Sequence, residues 1–134
     1  MLDSVLIPLS KYRLERSEEM LKTAKRDLEA GDFASANNRA YYCIFHAMRA
    51  ALALTGEDYK RHSGVISRFS EQYLKTKILP PELSKSISAA SIIRNRSDYE
   101  DFYICSMEDT KKLVKDAEYF LQIVRSFLES KYTD

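Results

Sequence analysis

Apolar residues recur every three or four positions along two long stretches at the start of the chain, which is the pattern of amphipathic helices. The first stretch covers about residues 10–30, with apolar positions at Leu14, Leu21, Ala24 and Leu28. Gly31 is predicted to end this helix, and Asp32 to be the N-cap of a second helix over about 33–55. The second helix is rich in alanine, which allows neighbouring helices to pack closely.

Three further helices are predicted after Gly56. Ser63 is the expected N-cap of the third, whose apolar positions are Val65, Ile66, Phe69 and Tyr73. Pro80-Pro81 interrupts the chain, and Pro81 with Glu82 suits the first turn of the fourth helix. A last helix is predicted over about 106–131, with an apolar side formed by Leu113, Ala117, Phe120, Leu121, Val124 and Leu128. Because short connections make neighbouring helices antiparallel, the expected fold is an all-α, antiparallel up-and-down bundle of four to five helices.

Composition supports one helical domain spanning residues 1–134. The chain has 134 residues, which is enough for one well-buried core. Apolar residues make up 45% and charged residues 31%, which excludes a disordered chain. Three glycines and three prolines are too few for the turns of an all-β fold. The net charge of +1 gives no overall basic field, so nucleic-acid binding would require a local basic patch.

No metal site, cofactor or membrane segment is predicted. Neither Cys43 nor Cys105 has a metal-ligand neighbour at a usable spacing, and no motif indicates a bound cofactor. No apolar run approaches the roughly 18 residues of a membrane span. Residues 1–10 lack the charged start and long apolar stretch of a signal peptide. A cytoplasmic location is therefore expected.

The second helix carries a polar face. At helical spacing, one side presents Arg39, Tyr42, His46 and Arg49. Such a face can bind phosphate or transfer a proton, with His46 as its one ring that titrates near neutral pH. It can equally be the partly exposed margin of a packed helix, and spacing alone favours that interpretation.

A basic turn precedes the third helix. Lys60-Arg61-His62-Ser63 places three potential cations before a helix start, where backbone amides and adjacent cations can bind an anion. A solvated turn before a capped helix is the commoner arrangement. The acidic residues Glu57 and Asp58 nearby weaken the case for a phosphate site.

The most unusual segment is Arg94-Asn95-Arg96-Ser97-Asp98-Tyr99-Glu100-Asp101, because five of its eight residues are charged. Arg94 continues the apolar stripe of the fourth helix, and Asp98 and Asp101 extend it if the helix persists. An arginine that faces a core must be paired, and Asp98 is the nearest local partner. Two interpretations stay open: a structural ion pair, or a guanidinium held ready for a phosphate.

Three motifs together resemble the HEPN domain family. They are Asn38-Arg39-Ala40-Tyr41-Tyr42 with Phe45-His46-Ala47, then His62-Ser63-Gly64-Val65-Ile66, then Arg94-Asn95-Arg96-Ser97-Asp98-Tyr99. The resemblance covers about residues 10–131. It implies an antiparallel helical bundle that dimerises. Many members of the family are toxins or RNases of prokaryotic conflict systems, often encoded beside a minimal nucleotidyltransferase that acts as antitoxin.

The catalytic signature of the family is an arginine, four to six residues, and then a histidine. Arg94 and Asn95 match its start, but Tyr99 occupies the histidine position, as in a branch of the family that ends in Asp-Tyr. In RNase members, Arg and His from both subunits line a cleft at the dimer interface and cut RNA without metal. A tyrosine titrates near ~10 and is a poor base at neutral pH, although it can donate a hydrogen bond or stack on a nucleobase. His46 or His62 would have to supply the imidazole.

The first hypothesis from the sequence is a dimer that binds nucleotide or RNA phosphate at its subunit interface, as the partner of a minimal nucleotidyltransferase in a toxin–antitoxin-like system. Arg94 would contact the anion, Asp98 would orient Arg94, and Tyr99 would donate a hydrogen bond or stack. The further candidates for ligand contacts are Asn95, Arg39, Tyr42, Lys60 and Arg61.

Two alternatives belong to other classes. One is a metal-independent ribonuclease toxin that uses Arg94 with His46 or His62, so enzymatic activity is an open question. The other is a structural module in which the charged segment only closes a dimer. The sequence also leaves open whether a partner enzyme modifies Tyr99.

Overall fold

The protein is five helices joined by short connections. The computed structural model describes residues 5–100 and 103–133, and in these ranges it contains no strand. The helices are α1 (Leu6–Glu29), α2 (Phe33–Ala53), α3 (His62–Phe69), α4 (Leu83–Tyr99) and α5 (Met107–Tyr132). A π-helical turn, Ser70–Leu74, continues α3. The predicted all-α bundle is confirmed. No helix in the described part of the chain has the length and apolarity needed to cross a membrane.

The central helix of the bundle is α2, which packs against each of the other four. Its contact with α1 is the most extensive, and α5 covers a second side. Five alanines of α2 are fully buried: Ala36, Ala40, Ala47, Ala50 and Ala51. Since the distance between packed helices depends on the side chains at the contact, these small residues let the neighbouring backbones lie close to α2.

Two buried serines connect α1 to the backbone of α2. Ser10 donates its hydroxyl to the carbonyl of Ala50 over 2.7 Å, and Ser17 donates to the carbonyl of Cys43 over 2.6 Å. The order of these contacts makes the two helices antiparallel. Each bond satisfies a hydroxyl that is otherwise costly to bury, and together they fix the register of α1 on α2.

The ends of the helices agree with the sequence in some places and differ in others. Asp32 is the N-cap of α2, where its Oδ1 accepts a hydrogen bond from the Ser35 amide at 3.2 Å. The prediction of Ser63 as the N-cap of α3 is wrong. Arg61 occupies that position with an extended backbone and no side-chain cap, and the helix begins at His62. Consequently Ser63 lies inside the first helical turn.

The start of α4 also lies later than predicted. Pro81 and Glu82 form a tight turn before the helix, in which the Leu83 amide donates to the Pro80 carbonyl over 3.1 Å. The sequence did not predict the π-helical turn after α3. This turn is wider than an α-helical one, but the apolar residues keep their helical spacing through it, so the sequence gives no sign of it. Asp101, which was predicted to extend the α4 stripe, lies outside the described residues.

Replacing Ala47 by leucine is expected to lower the free energy of unfolding by about 1–3 kcal/mol. Ala47 is fully buried and lies on α2 between Cys43 and Ala50, whose carbonyls the α1 serines contact. A larger side chain there must separate the two helices or adopt a strained rotamer. The measurement is the midpoint of urea unfolding, at an unchanged slope.

The matched control for this substitution is Ala34→Leu, in the first turn of the same helix, where the side chain is exposed. Its stability is expected to stay within about 0.5 kcal/mol of the wild type. Equal losses in the two variants would show that close packing at Ala47 is not what holds α1 on α2.

Candidate functional site

An aromatic cluster surrounds His62 where α2 and α3 meet. The Tyr41 hydroxyl lies 2.9 Å from Nδ1 of His62, and the two rings stack with centroids 5.7 Å apart. The Phe45 ring lies closer, at 4.2 Å, and Tyr42 presents an edge at 5.8 Å. Three aromatic residues of α2 thereby fix the orientation of a histidine of α3. We refer to Tyr41, Tyr42, Phe45, His62 and Arg94 as the His62 cluster.

Arg94 joins this cluster from α4. Its guanidinium carbon lies 5.0 Å from the centroid of the Tyr41 ring, within the range of a cation–π interaction. Its Nε is 3.8 Å from an Asp98 carboxylate oxygen, so the predicted ion pair is present but too long for a hydrogen bond. The side chain is 28% exposed. The guanidinium is therefore held by an aromatic ring while part of it faces solvent.

Burial and positive charge keep the His62 ring neutral. Burial lowers the pKa of His62, and the charges of Arg94 and Arg49 lower it further. Burial also raises the pKa of Tyr41, against the opposing field of Arg94, so Tyr41 keeps its proton at neutral pH. The hydrogen bond joins the Tyr41 hydroxyl to Nδ1, and when the hydroxyl is its donor, the neutral ring carries its proton on Nε2. In this arrangement His62 is a hydrogen-bond donor on its free side.

The loop before α3 is held in place by its own contacts. A β-carbon on Gly64 would lie 3.3 Å from the Cβ of Tyr59, so the glycine permits a close approach of the loop to the helix. Glu57 accepts hydrogen bonds from the Tyr59 hydroxyl at 2.8 Å and from Arg68 Nε at 2.6 Å. Packing of the loop therefore explains Gly64 in the His62-Ser63-Gly64 motif. His62 is the residue of this motif whose side chain belongs to the cluster.

The acidic residues of this loop do not pair with its basic residues. Glu57 is engaged by Arg68, and Asp58 forms ion pairs with Arg13 and Arg49. Both Lys60 and Arg61 are exposed, and neither side chain forms an ion pair or a hydrogen bond within residues 5–100 and 103–133. Two cations therefore remain beside the His62 cluster without a carboxylate bound to them.

Other predicted site residues lie away from the cluster. Tyr99 is the last residue of α4 and is 81% exposed. It is five residues beyond Arg94, which turns it about 140° around the helix axis. Asn95 is exposed on α4, and Arg39 is exposed on α2, where its Nη1 donates to the side chain of neighbouring Asn38 over 3.0 Å. None of these three side chains is therefore part of the His62 cluster.

His46 lies on the opposite side of the aromatic residues. Its ring contacts Tyr42 and Phe45, at centroid distances of 6.0 and 5.8 Å, and faces α1. Burial lowers the pKa of His46 from 6.5 to about 4, with further lowering by the charges of Arg16, Arg49 and Arg13. The predicted polar face of α2 is therefore not one continuous site, because Tyr42 lies between His46 and His62.

Sequence reasoning missed two parts of this region. Tyr41 was assigned to the apolar face, although its hydroxyl and ring hold both His62 and Arg94. Arg13 was not singled out, although its position among the buried residues Ser10, Leu14 and Ser17 is the same kind of signal that identified Arg94. No group of three His, Cys, Asp or Glu side chains able to hold a metal occurs among the described residues.

Known proteins share both the sequence pattern and the fold. The sequence profile of the HEPN domain matches residues 10–127. A UPF0332 protein of Thermotoga maritima is 31% identical over 118 residues, which cover 88% of this chain and 89% of that protein. A protein of Methanocaldococcus jannaschii named "Putative toxin MJ0142" is 29% identical over 121 residues, which cover 85% of this chain and 82% of that protein.

A solved structure gives the same fold at low sequence identity. The crystal structure of ST0689, an archaeal HEPN homologue, superposes with a TM-score of 0.66 and 16% identity, over 89% of this chain and 97% of that chain. The profile match covers most of the sequence, and it includes all three motifs that suggested the resemblance. The chain belongs to the HEPN domain family.

Proposed function

We propose that this protein binds a phosphate group of a nucleotide or RNA at the His62 cluster, with Arg94 as the main contact. The observation that carries this proposal is the placement of Arg94, whose guanidinium is held 5.0 Å from the Tyr41 ring centroid and only loosely paired with Asp98. A guanidinium with a fixed orientation loses little freedom when it binds an anion. Asp98 is the residue that limits its rotation.

Neighbouring groups fit an anion as well. His62 offers an Nε2–H donor, and its ring lies against the same tyrosine as Arg94. Lys60 and Arg61 precede His62 and are not bound to the nearby carboxylates. A local excess of positive charge therefore exists on a chain whose net charge is only +1. Tyr42 forms the aromatic side of the cluster, where a nucleobase can stack.

The site is proposed to lie at the interface of a homodimer. Large apolar side chains are exposed at the end of α4 and after it, namely Ile92, Tyr99, Ile104 and Met107. Exposed apolar groups of this kind are typical of protein–protein interfaces. In a dimer, Tyr99 and Asn95 can contact a phosphate bound by the partner, although they face away from Arg94 in their own protomer. A monomeric mass at micromolar concentration would contradict this interface.

The biological role that we propose is the HEPN half of a toxin–antitoxin-like pair with a minimal nucleotidyltransferase. Family membership and relatives named as toxins support a toxin-like role. The direct check is the neighbouring reading frame, which should encode a small nucleotidyltransferase that co-purifies with this chain.

A second candidate function is metal-independent RNA cleavage. It is favoured by the position of Arg94 and His62, both of which lie against Tyr41. However, the hydrogen bond at Nδ1 and the lowered pKa make His62 a donor and a weak base. Phosphate binding without cleavage is therefore the function that the geometry supports best.

Replacing Arg94 by glutamine is expected to weaken binding of ATP and of a short single-stranded RNA by about 10–100-fold, because hydrogen bonds to charged groups are worth about 1.5–3 kcal/mol. Glutamine keeps a polar side chain but removes the charge and the fork of donors. The measurement is calorimetry for ATP and fluorescence anisotropy for labelled RNA, at one fixed salt concentration.

The matched control is Arg96→Gln, on the same helix, where Arg96 is 56% exposed and forms an ion pair with Glu100 at 4.0 Å. Its affinities should stay near those of the wild type, and equal losses in both variants would remove Arg94 from the site. RNA incubated with wild type in EDTA should remain intact. Cleavage that is lost in both Arg94→Gln and His62→Gln would instead favour the ribonuclease.

Stability is expected to fall as the pH falls from about 6.5 to about 4, because His46 is neutral in the folded protein with its pKa lowered to about 4. Between these pH values His46 is protonated in the unfolded chain but neutral in the folded protein. Lowering the pH therefore favours unfolding. The stabilisation is complete above the unfolded pKa near 6.5. Since each pKa unit is worth about 1.4 kcal/mol, the loss is on the order of 1–3 kcal/mol for a partly exposed ring.

Thermal unfolding at pH 7 and pH 5 measures this effect. His46→Gln should remove most of the difference between the two midpoints, and His62→Gln a smaller share, since its pKa is also lowered. The pKa values of Glu57 and Asp58 are lowered, mainly by hydrogen bonds and charges from arginines, so both carboxylates stay ionised in the folded protein between pH 7 and pH 5. An unchanged pH dependence in the His46 variant would show that the ring is not held neutral.

A further inference from the structure

A second polar cavity lies between α1 and α2, on the side of the aromatic residues away from His62. Its volume is about 350 Å³, in the lower part of the range of about 300–1,000 Å³ for small-molecule sites. The residues that line it are Leu9, Tyr12, Arg13, Arg16, His46 and Arg49. The rings of Tyr42 and Phe45 separate His46 from His62, so this cavity is distinct from the His62 cluster.

Positive charge in this cavity exceeds the negative charge available to balance it. Arg13 Nη2 lies 3.3 Å from one oxygen of Asp58, and Arg49 Nη2 lies 3.1 Å from the other. One carboxylate thus serves two guanidiniums. The side chain of Arg16 forms no ion pair or hydrogen bond within the described residues. Three guanidiniums facing one carboxylate leave an excess of two positive charges.

Two donors in the cavity lack acceptors. The Nε of Arg49 is buried, and among the described residues it has no hydrogen-bond partner. The His46 ring also makes no hydrogen bond within these residues, but it is partly exposed and is not a buried donor of this kind. Buried donors in native proteins are almost always satisfied, and an exception points to a water, an ion or a ligand. Here the surrounding charge specifies an anion.

We propose that the cavity lined by Arg13, Arg16, His46 and Arg49 is a binding site for a phosphate monoester, separate from the Arg94 site. Arg16 is the main contact, since its guanidinium is not committed to a protein carboxylate. Arg49 adds a second positive charge to the wall of the cavity, and the N–H of neutral His46 donates to a second oxygen. Arg13 is a positioning residue, because it is 8% exposed, pairs with Asp58, and donates to the Arg49 carbonyl over 3.3 Å.

The choice of a phosphate monoester follows from charge and shape. A dianion matches the excess of two positive charges, and its tetrahedral oxygens can accept from donors on several sides. The terminal phosphate of a nucleotide is such a monoester, and inorganic phosphate presents the same tetrahedral oxygens without the ester group. Tyr12 is 59% exposed and Leu9 is 37% exposed at the edge of the cavity, which provides an apolar surface for a nucleoside.

Calorimetric titration with inorganic phosphate, AMP and adenosine tests this proposal. Inorganic phosphate and AMP are expected to bind, and adenosine alone to bind much more weakly. Arg16→Gln should weaken both phosphate ligands by about 10–100-fold. If Tyr12 contacts a nucleoside, Tyr12→Ser weakens AMP and leaves inorganic phosphate unchanged. If AMP binds no more tightly than inorganic phosphate and Tyr12→Ser changes neither affinity, the nucleoside makes no contact and inorganic phosphate is the natural source.

Two control variants separate this site from other effects. Arg26→Gln, an exposed position near the end of α1, should leave phosphate binding unchanged. Arg94→Gln should also leave inorganic phosphate bound in this cavity, so failure here and failure of the proposed function are distinguishable. In the Arg94→Gln background, phosphate binding that survives the further change Arg16→Gln, or no binding of phosphate or AMP at all, would overturn the proposal.

The His46 ring provides a second readout that does not depend on affinity. The charged groups that face it are Arg13 and Arg16 of α1 and Arg49 of α2, with His62 of α3 contributing weakly. Bound phosphate offsets these charges, so the pKa of His46 measured by NMR should rise in its presence, while His62 changes little. Arg16→Gln should raise the pKa of His46 without any ligand. A His46 pKa that saturating phosphate leaves unchanged would also overturn the proposal.

Discussion

The packing of α2 against every other helix is the constraint on which this structure depends. One helix can contact four neighbours only if much of its surface consists of small side chains, and the fully buried alanines of α2 meet that condition. The serine hydroxyls of α1 then bond directly to α2 carbonyls. The remaining surface of α2 carries the aromatic residues of the His62 cluster, and His46 and Arg49 of the same helix line the second proposed site.

The close packing around α2 also restricts where charged side chains can lie. Arg94 and Arg13 each occupy a position on an otherwise buried helix stripe, and each has a partner that offsets the cost of burial. For Arg94 the partners are the Tyr41 ring and Asp98. For Arg13 the partner is Asp58, which reaches it from the loop after α2. That loop is therefore part of the electrostatic structure and not only a connection.

The fold was predictable because helical spacing, glycine positions and the break at Pro80-Pro81 all indicated the same elements. Arg94 was predictable for a related reason, since a charge on an apolar stripe is visible in a single sequence. The pairing of Tyr41 with His62 was not, because it joins residues 21 positions apart through a hydroxyl on an apparently apolar face. The ion pair between Asp58 and Arg13 was not predictable for the same reason, since the two residues are far apart in the sequence. Local spacing indicated only that Asp58 could offset the charges of Lys60 and Arg61.

The surroundings of the two histidines bear on what the replacement of the signature histidine by Tyr99 means. His62 is hydrogen-bonded to the Tyr41 hydroxyl and lies against the same ring as Arg94, but burial and the charges of Arg94 and Arg49 lower its pKa, which makes it a weak base. His46 contacts Tyr42 and Phe45 and lines the cavity against α1, and Tyr99 is exposed at the end of α4. What remains around Arg94 is a fixed cation, a neutral donor and aromatic surface. If the chain binds phosphate as proposed, this set supplies cationic and hydrogen-bonding groups for the anion but no strong base at neutral pH, so the replacement of the signature histidine by Tyr99 is expected to favour binding over cleavage.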